Sequence, residues 1–178
     1  MKTLYQSNLL THLAKKNHIL LLDTNVFSTA AKSDELQAFI IKLTNETGCA
    51  YTTTESVVFE ALNGSTDEAT YKKRQKQIKT IISSLLPINF LDKTPDFNFL
   101  MSKLNANNKS FVDFQLAAAL YKYRTSSIYL LTSDQKALPN FYTRDFVITT
   151  EHNSGHIVNF GMFRFDEAKY ELALKGVS

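Results

Sequence analysis

The hydrophobic pattern along the chain has two alternating signatures. One is a short aliphatic run without polar interruption, such as Ile19-Leu20-Leu21-Leu22 and Ile128-Tyr129-Leu130-Leu131. Such runs suit strands buried on both faces, as in a parallel sheet. The other is apolar spacing of three and four. Leu36, Phe39, Ile40 and Leu43 give one helix face, and Tyr71, Ile78, Ile81, Ile82 and Leu85 give another. Ser33-Asp34-Glu35 opens the first of these helices with a cap and acids in its first turn, and Gly48 closes it.

Reading on, a strand is predicted over Cys49–Thr52. A helix follows from about Thr53 to Leu62, entered through Thr52-Thr53-Thr54-Glu55 as a capping box and stopped at Asn63-Gly64. A longer helix spans about Asp67–Leu86 and ends before Pro87. Ile88–Leu91 is a short strand, Pro95 to about Leu104 a helix, and Phe111 to about Tyr123 a helix capped by Ser110. Strands follow at Ile128–Leu131 and Phe146–Thr149. The tail offers an edge strand over Ile157–Phe165 and a helix over Asp166–Leu174.

This β-α order implies a single-domain three-layer α/β/α sandwich with a central, mostly parallel sheet and a C-terminal β/α extension. Residues 1–150 form the domain, and residues 151–178 form the extension packed on it. No internal repeat or low-complexity tract interrupts this organisation.

Composition narrows the class. At 178 residues, with 44% hydrophobic and 21% charged positions, the chain suits one globular domain with a real core. Its one cysteine, Cys49, reads as a core residue and points to a reducing compartment. No apolar run nears the roughly 20 residues of a membrane span, and the first residues lack a secretory pattern. The expected location is the cytoplasm, with no membrane association. No Gly-rich phosphate loop is present, so nucleotide-driven chemistry is not expected. His152 and His156 flank loop-forming residues without accompanying cysteines, and a structural or solvent role is expected of them.

The chemistry concentrates in four acids. Asp23 and Asp134 directly follow the two aliphatic strands, where open α/β sheets bind ligands. Asp113 opens the helix after Ser110, and Glu60 lies in the helix before Asn63-Gly64. Glu60 is preferred over Glu55, which has a local capping task and lies about 140° round the helix. Carboxylates from distant segments repel one another unless a cation lies between them, and such a donor set suits Mg²⁺ or Mn²⁺. Each acid also has a local explanation. Asp23 can cap a following segment, Asp113 can complete a capping box with Ser110, Asp134 can belong to a turn, and Glu60 can be a solvated helix residue. Net charge is +3, and the densest basic run is Lys72, Lys73, Arg74, Lys76 and Lys79. It is either a rail for a polyanion or a solvated helix face.

Taken together, the segments around Asp23-Thr24-Asn25, Glu60-Ala61-Leu62-Asn63-Gly64, Val112-Asp113 and Thr132-Ser133-Asp134 resemble the PIN-domain ribonucleases, a group that includes the VapC-type toxins. The resemblance covers about residues 18–149. It implies a metal-dependent endoribonuclease with Asp23, Glu60, Asp113 and Asp134 at a catalytic Mg²⁺ or Mn²⁺ site, supported by Asn25 and Thr132. It also implies an RNA substrate, with a small antitoxin protein and a homodimer as further partners. Lys72, Lys73, Arg74 and Lys76 are the nucleic-acid-binding candidates. The alternatives are a catalytically inactive RNA- or protein-binding module and a DNA-directed nuclease.

Overall fold

The computed structural model describes residues 3–87, 110–134 and 138–175. Its elements in chain order are β1 (Leu4–Tyr5), α1 (Leu9–Ala14), β2 (Ile19–Leu22), α2 (Thr24–Ala30), α3 (Asp34–Thr47), β3 (Ala50–Thr53), α4 (Glu55–Leu62), α5 (Glu68–Ile81), β4 (Ser84–Leu85), α6 (Phe111–Lys122), β5 (Ile128–Thr132), β6 (Tyr142–Glu151), β7 (Ile157–Phe165) and α7 (Glu167–Lys175). The strands form one mixed sheet in the order β1-β6-β7-β5-β2-β3-β4. The pairings make β2, β3, β4, β5 and β6 run one way and β1 and β7 the other. The architecture is α/β and compatible with an α/β sandwich.

The aliphatic runs become the centre of the sheet. Leu20, Leu21 and Leu22 of β2 and all of β5 are buried, because neighbours flank both strands and helices cover them. β2 is also where the strand order reverses. The chain leaves β2 for β3 on one side and returns to β5 on the other, which opens a crevice at their carboxyl ends.

Local signals set most helix ends. The Ser33 hydroxyl accepts the Leu36 N–H at 3.2 Å, and Gly48 takes the left-handed conformation, φ 69°, that closes α3. Asp67 starts α5 by accepting the Thr70 N–H at 2.8 Å. Ser110 and Asp113 form a reciprocal capping box at the start of α6. Cys49 is buried, as expected.

Several expectations need correction. α5 ends at Ile81 rather than Leu86, because the edge of β3 takes the next residues as a strand. The Ser83 N–H donates to Tyr51 O and the Leu86 N–H to Thr53 O, both at 2.8 Å. Serine favours such backbone competition over helix. The predicted capping box at Thr52 does not form. Thr52 belongs to β3 and donates its hydroxyl to Ser84 O, α4 is entered from Thr54, and Glu55 is exposed. Ile157–Phe165 is an interior strand between β5 and β6, not an edge. Its four consecutive buried residues, Phe160 to Phe163, mark it as central. β6 is longer than predicted, since it pairs with β7 along most of its length. No helix separates β5 from β6 among the described residues. The predicted strand Ile88–Leu91 and helix Pro95–Leu104 lie outside the described residues.

Gly161 ties this interior strand to the crevice. It pairs with Thr132 of β5 on one side and Val147 of β6 on the other. A side chain there would run into the Phe163 ring and come within 3.1 Å of Arg144 Cδ. Phe163 is itself buried and has little room to swing. Gly161→Ala is expected to cost roughly 1–3 kcal/mol in urea unfolding. A loss below about 0.5 kcal/mol, the range of an ordinary surface change, would contradict the close packing of β7 described here.

Candidate functional site at the carboxyl ends of β2 and β5

Asp23 is the first residue beyond β2 and is 5% exposed. Its backbone N–H continues the ladder to Leu131 O at 3.2 Å, so its position is fixed by the strand pairing. The side chain caps α2. Thr24 N–H donates to Oδ1 at 2.6 Å, and the Asn25 amide donates to Oδ2 at 2.5 Å. The Thr132 hydroxyl, from the end of β5, donates to the same Oδ2 at 2.6 Å.

Thr132 is the hub of this network and is fully buried. A hydroxyl has one proton and two lone pairs. The proton goes to Asp23, and the oxygen accepts from the Asn25 amide and the Asp134 N–H, each at 3.0 Å. The Asn25 carbonyl oxygen in turn accepts the Ser133 N–H at 3.0 Å. Asn25 and Thr132 therefore clasp the ends of β2 and β5 together and orient the Asp23 carboxylate between them.

Glu60 approaches from α4. Thr24 donates its hydroxyl to the Glu60 carboxylate while its N–H holds Asp23, so one residue bridges the two acids. Thr24 was not singled out in the sequence. Its signal was its place in the polar Asp-Thr-Asn triplet that ends the aliphatic run. Asp113 arrives on α6, which packs against α4, as α2 also does. One Asp113 oxygen accepts the Ser110 N–H at 3.1 Å, so its local capping role is real. Asp134 follows β5 and is exposed, tied to the network through its backbone N–H.

The electrostatics join three of these acids. Burial pushes the Asp23 carboxyl up to about 6, from an ordinary 3.8. The donated bonds from Thr132 and Thr24 oppose that rise, and the charges of Asp113 and Glu60 add to it. Asp23 thus senses both other acids. Yet among the described residues no three His, Cys, Asp or Glu side chains lie close enough to hold one metal ion. The structure therefore gathers Asp23, Asn25 and Thr132 tightly and brings Glu60 and Asp113 within electrostatic reach. It does not close the four acids into a cage. The donors, carboxylate and amide oxygen, are those of a hard divalent cation. Mg²⁺ commonly takes only one or two protein carboxylates and keeps several waters, so the set fits by donor chemistry without a cage.

The basic candidates divide. Lys72 pairs with Glu68 at 2.5 Å on the exposed face of α5. Lys73, Arg74 and Lys76 line a groove of about 860 Å³ between α3 and α5. Arg74 also donates to Asn63 O and the Ser65 hydroxyl, at 3.3 and 3.2 Å. Arg74 and Gln77 border a second pocket of about 250 Å³ that contains Thr24 and Glu60. Arg74 and Gln77 line both, so the basic groove and the pocket at Glu60 share a wall. His152 and His156 close the β6–β7 turn, where the His152 N–H donates to His156 O at 2.8 Å. Among the described residues no helix is long and apolar enough to cross a membrane.

Comparison with known proteins finds no match: no family model, no curated protein and no solved structure is significantly similar to this chain.

Asp23 makes stability depend on pH with a definite sign. Its folded pKa lies above its unfolded one, so between about 3.8 and about 6 the folded state holds the extra proton. The contribution of this group is most favourable below about pH 4 and is lost as pH rises to about 6, by roughly 3 kcal/mol for a shift of this size. Asp23→Asn removes the charge. Relative to wild type, the variant is expected to gain stability across that window and hold the gain above it, as read from urea unfolding at pH 4 and pH 7. A difference that does not change with pH would show that Asp23 carries no burial penalty.

Proposed function

We propose that this chain is a metal-dependent endoribonuclease of the PIN type, with a three-layer α/β/α fold and its reaction centre at Asp23. The observation that carries this reading is a buried carboxylate at the strand-order reversal, oriented by Asn25 and Thr132 and repelled by Glu60 and Asp113. A protein that buries an acid and sets two others near it stores a demand for positive charge.

The residues that would hold a divalent ion are Asp23, with Glu60 and Asp113 beside it and Asp134 at the rim. When bound, such an ion supplies Lewis acidity toward a phosphoryl oxygen and lowers the pKa of a coordinated water. The chain's own contribution is positional. Thr132 and Asn25 fix the Asp23 oxygens, Thr24 restrains Glu60, and the Ser110 cap restrains Asp113. Lys73, Arg74 and Lys76 place positive charge along a groove that adjoins the pocket at Glu60, which suits a phosphodiester strand entering the site. A small inhibitory protein from a neighbouring reading frame would give the enzyme the role of a toxin.

One observation favours a rival reading, a binding module without chemistry. Glu60 and Asp113 already have hydrogen-bond donors of their own, and the acids do not close into a cage. Cleavage separates the two. Purified protein is expected to cut single-stranded or structured RNA only with Mg²⁺ or Mn²⁺. Asp23→Asn and Asp113→Asn are expected to lower the rate by roughly a hundredfold or more. Lys73→Glu with Lys76→Glu is expected to weaken substrate binding and to flatten its dependence on salt. RNA binding without metal-dependent cleavage would establish the rival, and faster cleavage of DNA than of RNA of the same sequence would reassign the substrate.

A further inference from the structure

The sheet has a second chemically distinct edge. Asp23 follows β2 and Thr132 ends β5, whereas His18 and Ser127 precede the same two strands. At this amino edge lies a pocket of about 350 Å³ whose titratable lining is His12, Lys15, Lys16, His18, Arg124 and Arg164, beside the phenol of Tyr129. Among the described residues no Asp or Glu lines it. The cations come from the end of α1, the turn after α6 and strand β7, so the convergence is a product of the fold.

Three rings of the lining pack together. The imidazoles of His12 and His18 stack with centroids 5.1 Å apart, and the Tyr129 ring packs against both. Tyr129 donates its hydroxyl to Asp145 at 3.1 Å, so its oxygen accepts from His12 Nε2 at 2.9 Å. That bond fixes the face His12 presents. Burial holds His18 below the usual histidine range. Arg164 is offset by Asp145 at 2.7 Å, and Arg124 by Glu167 at 3.2 Å. Lys15 and Lys16 have no carboxylate partner among the described residues. Ser126 and Ser127 add hydroxyl groups to the lining.

Two uncompensated cations, a guanidinium and hydroxyls around one concave space are the recognition elements of an isolated oxyanion. A running polynucleotide backbone calls for a track, as along α5, rather than a pocket walled by stacked rings. The volume matches a small ligand of nucleotide size. We infer that this pocket binds the phosphate monoester of a small phosphorylated ligand, held by Lys15, Lys16 and Arg124 at the sheet edge opposite Asp23. The site is independent of the nuclease reading, since it shares no residue with it.

The test is an NMR titration of the full chain at low salt, observing the His12 and His18 imidazoles and the Ser126 and Ser127 amides. The probes are inorganic phosphate, adenosine 5′-monophosphate and a single-stranded oligonucleotide lacking terminal phosphates. Saturable shifts with adenosine 5′-monophosphate are expected, weakened about tenfold or more in a Lys15→Glu, Lys16→Glu variant. Both lysines are exposed, so the variant is expected to fold, and its amide spectrum reports this directly. A Lys42→Glu control, an exposed position on α3 outside the pocket lining, is expected to bind as wild type does. Shifts that never saturate, or that persist unchanged in the double variant, would overturn the site. Equal or tighter binding of the oligonucleotide would overturn the monoester assignment.

Discussion

The bond from the Thr132 hydroxyl to Asp23 is the interaction on which the rest of the candidate site depends. It joins the ends of two strands that are 109 positions apart in the chain. It also uses up the single proton of Thr132, which obliges the oxygen to accept from Asn25 and from the Asp134 backbone. Each polar group in this buried corner thereby has a partner, and that satisfaction is what permits a carboxylate so close to the core. A charge there is still costly, as the raised Asp23 pKa records. Stability alone does not account for an acid at this position, because a neutral side chain would fold with less penalty.

The sheet explains why this corner exists. β2 lies where the chain reverses its direction of travel across the sheet, with β3 on one side and β5 on the other, which is where open α/β sheets form a crevice. Gly161 pairs with Thr132 from the next strand, and its lack of a side chain lets the Phe163 ring fill the adjoining space. The two edges of the same central strands then diverge in chemistry. The carboxyl ends carry acids, with a basic groove adjoining the pocket at Glu60, and the amino ends carry a pocket of cations beside stacked imidazoles.

Much of this was legible because the signals are local. An aliphatic run stopping at Asp-Thr-Asn announces a buried strand with a polar end, and Ser33 and Gly48 mark the bounds of α3 by their own conformational preferences. The capping box of Ser110 and Asp113 was readable for the same reason. The rest depended on partners far along the chain. Ser83 to Leu86 continue the helical pattern of α5, and only the open edge of β3 turns them into strand. The β7 segment carries Asn159 and Arg164, which make it look like an edge, although Phe160 to Phe163 are buried between two strands. The Thr24 bridge to Glu60 and the gathering of Lys15, Lys16 and Arg124 are set by packing between distant elements, which no local pattern encodes.

The claim at the centre of this account is that Asp23 is a buried acid whose charge is made costly by its surroundings and by Asp113 and Glu60. Carbon-detected NMR titration of its side-chain carboxyl measures that directly, in the absence and presence of Mg²⁺. The account predicts a midpoint near 6 that falls when Mg²⁺ is added. A midpoint near the ordinary 3.8, unmoved by Mg²⁺, would contradict it.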